Sequence, residues 1–125
     1  MSKLTEYLKL IPKGIKDVDK ILVAIKNDIA LEFDMISEHR KEIIVGRRLI
    51  CATCPFMSKN ALQSKEYFDL INGHYSTDRE EDHCSMCGCP IKYRTAALDK
   101  NCGMETWNEE HPNQQNELKW KVEQE

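Results

Sequence analysis

No apolar run in this 125-residue sequence approaches the roughly 18 residues needed to span a bilayer, so a membrane-embedded chain is not expected. The opening stretch MSKLTEYLKLIPKGIK lacks the apolar core and small-residue cleavage site of a secretory signal. The expectation is an intracellular protein, or one packaged from inside a cell, and not a secreted one. A basic excess is also missing: the net charge is −3, with ten basic against eight acidic residues over 1–50 and eight against thirteen over 51–125. General nucleic-acid binders are usually basic overall, so this balance does not favour that role. No nucleophile elbow, phosphate loop or HExxH motif is present, and there is no internal repeat or low-complexity segment. At 41% apolar and 31% charged, the chain reads as one ordered domain with extensions, too small for a large enclosed active site.

The first 50 residues contain no cysteine and carry a helical pattern. Ser2 is a candidate cap for a short helix ending before Pro12, and Pro12 and Gly14 make a break. Apolar residues then recur at Ile15, Val18, Leu22, Ile25, Ile29, Phe33 and Ile36, in steps of three and four that define one face of a helix reaching about Ile44. Such a helix is about 45 Å long, more than a small metal module can cover. Its stripe must meet another chain, a second copy or the short first helix. Glu32 and His39 fall on the seam that self-pairing would use, which weakens a coiled coil. Gly46 is the expected stop. Arg40, Lys41, Arg47 and Arg48 form a small basic cluster near this end, read as solvated charge.

All six cysteines lie between positions 51 and 102. CATCP at 51–55 and CSMCG at 84–88 are two CxxC pairs. Two intervening residues let the chain turn back so that both sulfurs reach one metal at about 2.3 Å, while nearby amides stabilise the thiolates. Gly88 supplies the left-handed backbone such a turn requires. Without an export signal, paired cysteines at this spacing point to metal rather than disulfides. The expected ligands of a structural zinc are Cys51, Cys54, Cys84 and Cys87, with Cys89 and Cys102 as second-tier substitutes. Four sulfur ligands leave no open position for water, so the site is structural and the protein is not expected to be an enzyme. Between the pairs, NALQSKEYFDLING reads as a helix ending at Gly73, with Ala61, Leu62, Tyr67, Phe68 and Ile71 offering a small core. PIKYRTAALDK reads as another, started by Pro90. In the polar tail, Leu118, Trp120 and Val122 alternate with Lys119, Lys121 and Glu123, the pattern of a docking strand or a free tail.

RRLICATCP, then CSMCGCPIKYRT, then Cys102 followed by Trp107 resembles a group of small zinc-ribbon-like, cysteine-rich proteins of tailed bacteriophages. Their pattern is CxxCP, CxxCGCP with a lysine soon after, and CP with a tryptophan a few residues on. The likeness covers about residues 47–107, with CxxCGCPIK its most specific part. The sequence departs from it at CGMETW, which has no proline after the last cysteine. The resemblance implies that all six cysteines act together and assigns no activity.

The resulting expectation is a mainly α protein with a zinc-ribbon or knuckle module, in which a long N-terminal amphipathic helix precedes a metal-stabilised α+β domain. Residues 1–46 form a docking or oligomerisation segment, 47–107 the zinc-binding module and 108–125 the tail. The expected role is a non-enzymatic, zinc-stabilised interaction protein, an auxiliary virion component of a tailed phage. It would bind other virion proteins, or itself through the 15–44 helix. The rival is a zinc-ribbon regulator binding nucleic acid or the host transcription machinery through Arg40, Lys41, Arg47 and Arg48. A redox or iron–sulfur protein is a third class.

Overall fold

The computed structural model describes residues 7–11, 17–33 and 35–122. Ser2, the Pro12–Gly14 break and Ile15 lie outside these. The chain forms two compact units, Met1–Thr53 and Cys54–Glu125. The described residues are mainly helical and include no strand or sheet.

In the first unit, helix α1 spans Val18–Glu32 and α2 spans Glu38–Thr53. The single helix expected over 15–44 is therefore two. At the break Phe33 leaves the helical region (φ −130°, ψ 46°), its N–H closing the last turn on the Ile29 carbonyl. Ser37 then starts α2: its hydroxyl accepts the Arg40 N–H at 3.3 Å and its carbonyl accepts the Lys41 N–H at 3.0 Å. A serine that satisfies the first amides of a new helix stabilises a restart where continuous periodicity would carry on. The two helices pack on each other, and Ile29, Ile43, Ile44, Leu49 and Ile50 supply the buried residues.

Gly46 does not stop the helix, because α2 continues seven residues past it. It is instead a point of close approach to Tyr7: a Cβ here would lie 2.3 Å from Tyr7 Cγ. The apolar stripe is only partly covered. Ile29 is 1% exposed and Val18, Leu22, Ile25, Phe33 and Ile36 are half-buried, while Val23, Leu31 and Met35, off the stripe, are well exposed.

In the second unit the helices are short: α3 Ser58–Ala61, α4 Lys65–Ile71, α5 Ile91–Ala96 and α6 Met104–Glu110. The stretch expected as one helix over 60–73 divides at Ser64, whose hydroxyl accepts the Tyr67 N–H at 3.0 Å. It ends on Asn72 in the left-handed region (φ 62°), one residue before Gly73. Ala61 and Tyr67 are buried, while Leu62, Phe68 and Ile71 reach the surface. α5 starts directly after Pro90, as its sequence predicts. The α+β character expected of this module is absent among the described residues, where pairing is limited to two isolated bridges, Met57 with Cys84 and His83 with Pro90.

The tail is docked without forming a strand. Trp120 is buried, its carbonyl accepts the Cys102 N–H at 3.1 Å, and the Val122 N–H donates to Asn101 Oδ1 at 2.7 Å. Asn108 holds it further back, accepting the Asn116 N–H at 3.0 Å and donating to the Asn116 carbonyl at 2.9 Å. A side-chain amide can satisfy both backbone groups of one residue, which replaces the ladder that a strand would need.

Candidate metal centre

The two isolated bridges organise the cysteines. The Ser58 N–H donates to the His83 carbonyl at 2.7 Å, the His83 N–H returns to Ser58 Oγ at 3.2 Å, and the Ser85 N–H donates to the Phe56 carbonyl at 2.8 Å. These bonds lay the Cys54-Pro55-Phe56 turn against the start of the second CxxC segment. That segment closes on itself: the Gly88 N–H donates to the Cys84 carbonyl at 2.7 Å and the Cys84 N–H to the Cys89 carbonyl at 3.0 Å. Gly88 adopts φ +79°, the left-handed conformation that a side chain rarely tolerates. Arg79 Nη1 steadies the turn from outside, donating to the Gly88 carbonyl at 2.9 Å. The same guanidinium, hydrogen-bonded to Glu81, holds that carboxyl below the usual carboxylate range.

Three sulfurs accept a backbone N–H from the residue two positions on. Phe56 donates to Cys54 Sγ, Cys89 to Cys87 Sγ and Met104 to Cys102 Sγ, each at 3.4 Å. Amides aimed at sulfur favour thiolate over thiol, because the partial positive N–H stabilises the charge. Gly103 lies against the other face of the turn: a Cβ on it would come 2.5 Å from Cys87 Sγ and 2.7 Å from Cys84 Sγ. The Cys102–Gly103 backbone is thereby seated on the Cys84 and Cys87 sulfurs. Cys54 is itself fixed, its carbonyl accepting the Met57 N–H at 3.2 Å and Asn60 Nδ2 at 2.8 Å.

No disulfide joins any of the six cysteines, all of which are among the described residues. Burial pushes the Cys54 thiol up from its ordinary value, partly opposed by the Phe56 amide. The hydrogen bond with the Cys84 thiol, reinforced by burial, pushes Cys87 well up. Cys89 is raised chiefly by burial, with Arg94 acting against it. These directions are those of neutral thiols in a poorly hydrated pocket, and a shared dication reverses them by coordinating thiolate. Among the described residues no group of three or more Cys, His, Asp or Glu is gathered closely enough to hold a metal. Fit rests on the donor chemistry alone, since Gly103 itself packs over the Cys84 and Cys87 sulfurs.

The expected ligands are distributed unevenly. Cys54, Cys84 and Cys87 belong to the second unit, as do Cys89 and Cys102. Cys51 lies within α2 of the first unit. Cys102 is buried, and its neighbour Gly103 provides the contact to the 84–87 turn that spacing alone does not reveal. A small residue directly after Cys102 was the only sequence signal of that contact.

The histidines hold other positions. His83 is 1% exposed; its Nδ1 lies 2.9 Å from the Glu81 carbonyl, which can only accept, so Nε2 is the acceptor for the Tyr75 hydroxyl at 2.5 Å. Both ring nitrogens are thus used internally. His111 stacks on Trp107 with ring centroids 3.9 Å apart. The basic cluster is dispersed: Arg47 and Arg48 are buried, Arg48 facing Glu32 at 3.4 Å and the Phe33 ring, while Lys41 pairs with Glu38 at 3.4 Å. An open groove of about 570 Å³, lined by residues including Glu105, Glu109, Gln115 and Lys121, contains no cysteine. Among the described residues no helix is long and apolar enough to cross a membrane.

Comparison with protein-family models, with curated proteins and with solved structures finds no match to the chain.

Proposed function

We propose that this chain is a non-enzymatic interaction protein whose second unit is stabilised by one structural zinc. One observation carries the reading: three cysteine sulfurs each accept an amide from two residues on, beside a turn whose sulfurs are covered by Gly103. Cysteine thiolates supplied with backbone donors suit zinc, and a four-sulfur shell leaves no position for a reacting water. The helices here are short, so a metal replaces the larger apolar core that a unit of this size lacks. When bound, zinc supplies crosslinking and charge compensation; the chain's own amides, Gly88 and Gly103 set where the sulfurs sit.

The exposed apolar residues of the first unit, Val23, Leu31 and Met35, suit docking to another protein. Together with the resemblance in the cysteine-rich half, they support an auxiliary component of a tailed-phage particle. The regulator reading draws less support, because Arg47 and Arg48 are enclosed rather than displayed.

Native mass spectrometry of the purified full chain tests the metal. About one equivalent of zinc is expected; protein that folds with no bound zinc overturns the reading. Mass spectrometry of purified particles tests the assignment to a virion, which absence of the chain from them overturns.

A further inference from the structure

We propose that Cys84 and Cys87 are a reversible dithiol–disulfide pair that exchanges with small-molecule disulfides. The inference goes beyond the zinc reading, since it needs two sulfurs side by side and no metal. Three features of the second unit bring these sulfurs together. The Gly88 N–H donates to the Cys84 carbonyl at 2.7 Å, closing a single helical-type turn over 84–88. Residues three apart in such a turn have Cα atoms inside the window of about 4.4–6.8 Å that a disulfide spans. The Cys84 and Cys87 side chains hydrogen-bond to each other. Both sulfurs also face one point, the place where a side chain on Gly103 would begin, at 2.7 and 2.5 Å from it.

Access also favours this pair, because Cys84 and Cys87 are half-buried and within reach of a small reagent, whereas Cys102 is buried. Cys89 is hydrogen-bonded to Cys87 as well, and its sulfur lies 4.0 Å from Arg94 Nη1. A Cys87–Cys89 bond would close a ring with a single residue between the cysteines. Gly88, that residue, is held in the existing turn through its amide to Cys84 and its carbonyl to Arg79. The tighter ring would displace this backbone and strain the disulfide. Exchange at Cys84 and Cys87 runs in two steps. One sulfur of the pair, as thiolate, attacks a small disulfide; a mixed disulfide forms and one small thiolate leaves, taking up a proton equivalent to the one the cysteine gave to solvent. The other sulfur attacks the protein sulfur of the mixed bond in the same way, forming the Cys84–Cys87 bond and releasing the second small thiol. Two protein thiols are oxidised, one small disulfide is reduced to two thiols, and excess small thiol drives the reverse. Under the zinc reading the closed pair takes two donors from the metal.

The test uses the full wild-type chain, its zinc content measured first, incubated anaerobically with oxidised glutathione. Remaining thiols are alkylated without reduction and the disulfides are mapped by mass spectrometry. Cys84–Cys87 is expected as the first intramolecular disulfide, reopened by dithiothreitol. C84S and C87S are each expected to accumulate a glutathione adduct on the remaining partner, and C89S to close the Cys84–Cys87 bond within about twofold of the wild-type rate. A different pair closing first, Cys87–Cys89 or Cys51–Cys54 among them, or a glutathione adduct that persists on the wild-type chain, overturns the inference. Zinc present at the outset with no disulfide formed overturns it and leaves the zinc reading intact. The Cys84–Cys87 disulfide formed in a folded chain without zinc does the reverse.

Discussion

Gly103 stands against Cys87 so closely that one added methyl group would sit 2.5 Å from the sulfur, well inside any carbon–sulfur contact. Gly103 has ordinary helical dihedrals, φ −58° and ψ −18°, so glycine is required here by space and not by backbone conformation. Gly103→Ala is therefore expected to destabilise the second unit by about 1–3 kcal/mol, the usual cost of forcing a methyl group into a packed site. Urea denaturation read by tryptophan fluorescence measures it. Unchanged stability would show that the 102–103 segment does not rest on the thiols.

Chelation separates the two units spectroscopically. Both tryptophans, Trp107 and Trp120, belong to the second unit, whereas the two longest helices, Val18–Glu32 and Glu38–Thr53, belong to the first. Removing zinc from the loaded chain with a strong chelator should move the tryptophan emission to the red and abolish the near-ultraviolet signal. Most of the helical circular dichroism should persist. Simultaneous loss of both signals would indicate that the first unit depends on the metal as well.

Tyr75→Phe removes one oxygen and leaves His83 Nε2 enclosed with no donor in its place. Burying an unsatisfied acceptor costs about 1–3 kcal/mol, more than the hydrogen bond itself contributes. The same denaturation experiment should register that loss. His83 also pairs through its backbone with Ser58, so a stability equal to wild type would remove the ring from the account of how the two cysteine segments are held.

Gly46→Ala distinguishes helix propensity from packing by sign. In an exposed helix this change would stabilise by about 1 kcal/mol. Here the new Cβ meets Tyr7 at 2.3 Å, and a net loss of about 1–3 kcal/mol is expected. Pairing it with Tyr7→Ala in a double-mutant cycle should recover part of the loss, since the clash then has no partner. Thermal denaturation followed by helical circular dichroism is the measurement.

What the sequence settled is local. Gly88 follows a CxxC turn and takes the left-handed conformation that the turn demands, and Pro90 opens a helix because its fixed φ and missing N–H suit a first turn. Ala61 and Tyr67 are buried as their spacing implies. Where two local signals competed, periodicity alone misled: the apolar stripe runs on past Phe33, yet Ser37 restarts the helix, because a cap satisfies amides that a hydrophobic pattern does not register. Gly46 likewise looks like a stop in sequence and serves as a close-packing site, a role defined by Tyr7 thirty-nine positions away.

The tertiary structure decided everything that depends on distant chain segments. It buried Arg47 and Arg48, which composition places among solvated charges, and it docked Trp120 through a single carbonyl and two asparagine side chains instead of a strand. Above all it brought the Cys102–Gly103 backbone onto the Cys84 and Cys87 sulfurs. Sequence spacing determines which cysteines can share a turn, because that depends on a few dihedrals. Which turns then meet depends on loop closure and on the amides and carbonyls that happen to be left over, and only the folded chain fixes those.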